Sequence, residues 1–159
     1  MNIFKYIIIL VLVGMTYSCG FKVVNKSEYF NFKFTSIETL GEKRINYQLK
    51  NKLFSNNTKK NNKTNIKLIL ETSKKKTIKE KNTKNQITKF QIIIVTQVQL
   101  LGNYEIENMD KFTVTKTGEY LVHEQHSQTL NNEKKLLKTL TNALAEDILE
   151  GIAQKINAL

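Results

Sequence analysis

One cysteine, Cys19, occurs in 159 residues, so no disulfide can form within the chain. Proline and tryptophan are absent, glycine occurs six times, and Arg44 is the only arginine among 25 basic residues. The near-absence of arginine weighs against reading the formal charge of +11 as a nucleic-acid signal. Bidentate contacts to phosphate and guanine favour the guanidinium fork, which lysine lacks. No Gly-rich phosphate loop, GxSxG elbow or catalytic triad is visible. The abundant residues are Lys, Asn, Ile, Phe and Tyr, all encoded by A/T-rich codons, which reads as a compositional bias of the genome. Long apolar runs are missing as well. The most apolar stretch, Ile7 to Met15, is about half of the roughly 20 residues that a transmembrane helix needs.

That short stretch has a context. Lys5 precedes it, and Thr16-Tyr17-Ser18-Cys19-Gly20 follows, giving the charged, apolar and small-residue regions of a secretory signal peptide. Ser18 and Gly20 suit lipoprotein processing, whereas Thr16 and Tyr17 depart from the usual aliphatic and small residues. Residues 1–18 are read as a signal peptide, and residues 19–159 as one domain whose Cys19 carries a diacylglycerol. Two or more acyl chains, at ~0.8 kcal/mol per buried CH2, anchor a protein where one would not. Competing readings are an ordinary signal peptide that leaves a free thiol, and an uncleaved N-terminal anchor. The lipoprotein reading places the chain outside the inner membrane, facing the periplasm.

Removing residues 1–18 leaves 141, enough for a single domain with a modest core. Charge is distributed unevenly along it. From Lys50 to Lys89 there are 13 lysines against Glu71 and Glu80, a local balance of +11, and the remainder is neutral. One reading is a pair of solvated loops; the sharper one is a cationic surface attracting an anionic partner over about a Debye length.

Periodicity predicts four strands and two helices. Phe30, Phe32 and Phe34 alternate with polar residues, predicting a half-buried strand over 29–38. Ile45, Leu49 and Leu53 recur every fourth residue, predicting a helix over 41–54. Residues 55–64 have nothing to bury and read as a loop. Ile66, Leu68 and Leu70 predict a second strand over 65–72, and the lysine-rich residues 73–85 read as a connection. A third strand is predicted over 86–101; with Ile93, Val95 and Leu101 opposite the main apolar set, it reads as central and covered on both faces. After a turn at 103–111, a fourth strand runs from Phe112 to about His123, broken at Thr117-Gly118. Leu136, Leu137, Leu140, Leu144, Ile148, Ile152, Ile156 and Leu159 predict an amphipathic helix capped by Asn131 or Asn132, with Glu133 at the positive end of its dipole. Gly151 inside it implies close packing. The order is that of a two-layer α+β sandwich, two helices on a roughly four-stranded mixed sheet.

His123 and His126, with Glu124, are the only metal-like grouping, and no third ligand stands near them in sequence. With no catalytic set, no metal and no cofactor implied, a binding or assembly role is expected rather than an enzyme. A hydrolase using an unrecognised site is the alternative.

The start Cys19-Gly20-Phe21, the element order and the ending Leu144-Ala145-Glu146-Asp147-Ile148-Leu149-Glu150-Gly151-Ile152 together resemble the LPS-assembly lipoprotein family LptE, over essentially the whole mature chain. That resemblance implies a lipoprotein on the outer membrane that plugs an LptD-type β-barrel, helps it assemble and binds lipopolysaccharide. It implies basic contacts at one end of the sheet, assigned here to Lys74, Lys75, Lys76, Lys79, Lys81 and Lys84. An auxiliary lipoprotein of another lipid-transport system has the same outline.

Overall fold

The structure, a computed structural model, describes residues 32–55, 64–102 and 110–157. The signal-peptide and Cys19 assignments, the 56–63 part of the predicted loop and the 103–109 part of the predicted turn lie outside the described residues. Along the chain come β1 (Phe32–Gly41), α1 (Lys43–Ser55), β2 (Thr64–Lys81), β3 (Ile87–Gly102), β4 (Asp110–Leu121) and α2 (His126–Asn157). The sheet order is β1-β2-β3-β4; β1 runs parallel to β2 and the other pairs are antiparallel. Both helices lie on one face, α1 over β1 and against α2, and α2 mainly over β4. This is the expected two-layer α+β arrangement. No described helix is long and apolar enough to cross a membrane.

The buried layer follows from the two periodicities. Phe32, Phe34 and Ile37 point inward from β1, and a register shift between Phe34 and Ser36 reconciles their uneven spacing. Leu68 and Leu70 of β2 and Ile92, Ile94 and Val98 of β3 continue the apolar floor. From above, Ile45, Leu49 and Leu53 of α1 meet Leu144, Ile148 and Ile152 of α2. Each fully buried side chain of this size contributes roughly 1.5–3 kcal/mol relative to exposure. One polar pair sits within this layer: the hydroxyls of Thr72 and Thr96 lie 3.0 Å apart and satisfy one another.

Gly41 and Gly151 each mark a close approach. At Gly41 φ is +90°, and an added Cβ would stand 2.1 Å from the Thr72 carbonyl oxygen. Here β1 ends: the Glu42 N–H donates to Thr72 O at 3.0 Å, and the chain turns off the sheet into α1. The Asn46 side chain secures the corner by donating to Leu40 O at 2.9 Å. Gly151 faces the Phe112 ring, where a Cβ would come within 2.7 Å of Cε2, so the expected close packing is against the sheet.

Several boundaries differ from expectation. β1 extends to Gly41 instead of ending at 38, while residues 29–31 are outside the description. β2 does not stop at 72. It continues to Lys81, and the predicted lysine-rich connection is the second half of that strand, paired with β3 from Ser73↔Val95 to Lys81↔Ile87. The fourth strand is unbroken, with Thr117 opposite Ile93 and Gly118 opposite Ile92. Gly118 instead makes room for α2, since a Cβ there would lie 2.7 Å from Leu136 Cδ1. α2 begins at His126, ahead of Asn131 and Asn132, so Glu133 lies beyond its first turn. β3 is central, but among the described elements helices cover it on one face only. Ile69, Ile93, Val95 and Leu101 on the other face are half-buried by their sheet neighbours, beside Gln91, Gln97, Gln99, Thr113, Thr115 and Thr117.

Candidate anion-binding hairpin

The lysines singled out from the sequence lie on one structural unit. Beyond Thr72, β2 loses β1 as a neighbour but keeps β3, so Ser73–Lys81 and Ile87–Val95 form a long hairpin extending past the corner at Gly41. A turn built from Asn82 closes it. The Asn82 side-chain oxygen accepts the N–H groups of Lys84 at 3.0 Å and Gln86 at 2.9 Å, and Asn85 takes the left-handed conformation with φ 61°. Between residues 73 and 91 stand seven lysines and one glutamate, a net charge of +6.

Strand alternation divides these lysines between two faces. Lys74 and Lys76 continue the row of Leu70 and Thr72 on the helix side, opposite Ile94 and Ile92. Lys75 lies on the open side, opposite Ile93. Register shifts around Glu80 put a bulge at Lys79. Ile78, 51 % exposed, supplies an apolar contact among the cations.

The cations are not equivalent. Lys76 is locked: its ammonium lies 2.7 Å from Glu133 of α2 and 4.3 Å from the centre of the Phe90 ring, with the Tyr120 ring at 5.3 Å. Tyr120 donates its hydroxyl to the same Glu133 oxygen at 2.8 Å. Partial burial works against the Lys76 ammonium, but the hydrogen bonds and charges of Glu133 and Tyr120 outweigh it and raise its pKa. Burial likewise opposes the Glu133 carboxylate, yet the Lys76 and Tyr120 hydrogen bonds and the charges of Lys76 and Lys74 lower its pKa. For Tyr120, burial and the Glu133 carboxylate push the phenol up. Lys79 pairs with Glu119 at 3.4 Å, and Lys89 with Glu80 at 2.9 Å; the latter bond raises the Lys89 pKa.

Four of the six assigned lysines make no ion pair within 4.0 Å of a carboxylate among the described residues and are uncommitted in that sense: Lys74, whose charge still reaches Glu133, Lys75, Lys81 and Lys84. Lys81 donates only to the neutral Asn85 side chain, at 2.9 Å. The arrangement is thus four exposed point charges carried on a strand and turn, with Lys76 held as a strut. Flexible ammonium groups of this kind suit phosphate recognition without fixed bidentate geometry. Lys89, Glu119, Tyr120 and Glu133 belong to the same unit and were not assigned from the sequence. Only the acidic character of Glu133 was noted, and it was attributed to the helix dipole.

The histidines do not assemble a second site. His123 follows β4 and has its backbone N–H and carbonyl tied to the Thr129 hydroxyl, while His126 opens α2; both are exposed. No group of three or more His, Cys, Asp and Glu side chains arranged for a metal occurs among the described residues.

No protein-family model matches this chain, and no curated protein does. Solved structures share its architecture. Rare lipoprotein B from Shewanella oneidensis superposes with a TM-score of 0.58 at 15 % identity, covering 78 % of this chain and 98 % of its own. Lipoprotein B from Nitrosomonas europaea gives 0.57 at 15 % identity, covering 88 % and 94 %. A minor lipoprotein from Acinetobacter baumannii gives 0.55 at 20 % identity, covering 79 % and 94 %. At these identities the likeness is one of fold, and the fold of this chain is that of these bacterial lipoproteins.

Proposed function

We propose that this chain is an LptE-type lipoprotein, anchored through Cys19 to the outer membrane and facing the periplasm. In this reading it seats inside an LptD-type β-barrel, assists the barrel's assembly, and binds lipopolysaccharide through the hairpin; it is not an enzyme. The observation that carries the reading is the +6 hairpin, with four uncommitted lysines, on a fold shared with bacterial lipoproteins. Phosphorylated glycolipid is the anion that a tethered, arginine-poor protein facing the periplasm would meet. The open sheet face supports seating in a barrel, because its Gln and Thr rows suit the polar interior of such barrels. A depression on it of about 230 Å³ between Leu40, Ile69, Gln97 and Lys111 is smaller than ligand pockets commonly are. A wider, shallow cleft of about 430 Å³ between β4 and α2 is lined by the acidic Asp147 and Glu150, which do not suit an anion. Cargo contact is therefore assigned to charge at the surface, with Ile78 as the apolar touch.

The test has two parts. Co-purification from native membranes should retrieve a large β-barrel; retrieval of an inner-membrane transporter alone would transfer the chain to another lipid-transport system. Replacing Lys74, Lys75, Lys81 and Lys84 together by Gln should weaken binding to vesicles containing lipid A at least tenfold, at ~1 kcal/mol per basic residue near an anionic surface. Stability should stay within about 0.5 kcal/mol, since these side chains are exposed. Unchanged vesicle binding would remove the hairpin from the cargo site.

A further inference from the structure

Past Gly41 the first half of the hairpin is an open sheet edge. β1 pairs with β2 only as far as Gly41↔Thr72, whereas β2 continues to Lys81 with β3 on its other side. The Thr72 carbonyl points toward β1, since it accepts the Glu42 N–H. Its close side-chain contact with Thr96 agrees with that orientation, because the narrow pairs of an antiparallel ladder turn their backbone groups outward. By strand alternation the N–H and C=O groups of Lys74, Lys76 and Ile78 face the same way. No described strand pairs with that side. The bulge at Lys79 ends the regular stretch.

Bare edges of this kind pair readily with other chains, and lysines are a common guard against indiscriminate pairing. Here the guard is selective. A second copy of this chain would bring another hairpin of +6 and be repelled. An extended strand carrying carboxylates would find Lys74 uncommitted on one face and Lys75 on the other, while its backbone closed the ladder. We infer that Ser73–Ile78 is a β-augmentation edge for an acidic extended segment of a partner polypeptide, which would take up the line of β1 beyond Gly41. Backbone pairing would supply most of the affinity, and the lysines would select the sign of the partner's charge. This goes beyond cargo binding and stands without it.

The experiment uses the full chain in detergent micelles and a fluorescein-labelled nine-residue peptide of alternating Glu and Val, followed by fluorescence anisotropy. Binding should saturate, and the same peptide with Lys for Glu should not bind. Lys74→Gln, which removes one charge, should weaken binding two- to threefold. Lys74→Pro, which also removes an outward N–H and blocks the edge, should weaken it at least ten times more than Lys74→Gln. The proline leaves the β3 ladder intact because the Lys74 N–H points away from it. Should Lys74→Pro fail to fold, methylating alternate backbone nitrogens of the peptide tests the same pairing on the unaltered protein, and binding should be lost. The inference is overturned by equal effects of Gln and Pro, by indifference to N-methylation, or by dimerisation of the chain through this edge. Capture by phosphatidylglycerol vesicles with no peptide binding overturns it too. Glycolipid binding by the hairpin would show equal losses for Gln and Pro, so the two assignments fail separately.

Discussion

Glu133→Gln should move stability and anion binding in opposite directions. The Glu133 carboxylate accepts from Lys76 at 2.7 Å and from Tyr120 at 2.8 Å, and thereby clamps the hairpin to α2. Glutamine preserves the shape but not the charge. A hydrogen bond to a charged group is worth roughly 1.5–3 kcal/mol in a dry setting, and an exposed ion pair ~0–1. The Lys76 and Glu133 side chains keep 38 % and 20 % of their surface in solvent, so the loss should fall between those ranges, at about 1–2 kcal/mol. For a domain of this size that lowers Tm by about 3–8 °C. The same change releases Lys76 beside Lys74 and deletes a negative charge, so affinity for lipid A vesicles should rise two- to fivefold, at up to ~1 kcal/mol per added cation. Urea unfolding and vesicle co-sedimentation on one preparation measure both quantities. If affinity falls along with stability, the docked shape of the hairpin governs binding and uncommitted charge does not.

Gly41→Ala combines a disfavoured φ with a collision against a backbone carbonyl, and should cost about 3–5 kcal/mol in urea unfolding; a loss below 1 kcal/mol would mean the corner adjusts freely. Gly151→Ala gains ~1 kcal/mol of helix propensity but presses on the Phe112 ring at a cost of ~1–3 kcal/mol, for a net loss of about 0–2 kcal/mol that Phe112→Leu should relieve. The lowered Glu133 pKa means that the unfolded chain binds that proton more readily than the folded one. Its contribution is present above the ordinary carboxylate range and is lost as pH falls through the folded value. Protection factors of the hairpin amides, taken relative to intrinsic exchange at each pH, should therefore fall on acidification below about pH 4.5, and Glu133→Gln should flatten that dependence.

The order of elements and the α2 core residues were readable because burial imposes a period that needs no partner to be recognised. Leu144, Ile148 and Ile152 repeat every fourth residue and are all buried. The strand over Ser73–Lys81 was unreadable for the opposite reason. Its residues are Ser, Lys, Thr, Ile and Glu with no apolar alternation, and it is a strand because Ile92 and Ile94 across the ladder hold it. Local sequence carries no trace of a pairing made on the far strand. The start of α2 was missed because its first turns are polar, and the Thr129 hydroxyl secures the preceding backbone at His123. Ile93 and Val95 suggested a second covered face; in the structure they lie beside Gln and Thr on a face that no described element covers. The lysines were assigned as one interchangeable set, and only the fold separates the strut Lys76 from the uncommitted four.

The parallel pairing of β1 with β2 also orders events in time. β2, β3 and β4 are antiparallel neighbours, and the β2–β3 turn is short, so that hairpin can close within ~1–10 µs. β1 has no such local partner. Phe32 waits for Thr64, with the whole of α1 in between, and must close a much longer loop before its phenylalanines are covered. With no proline in the chain, isomerisation adds no slow step. Of the described strands, the one made first at the ribosome is thus the last to be seated.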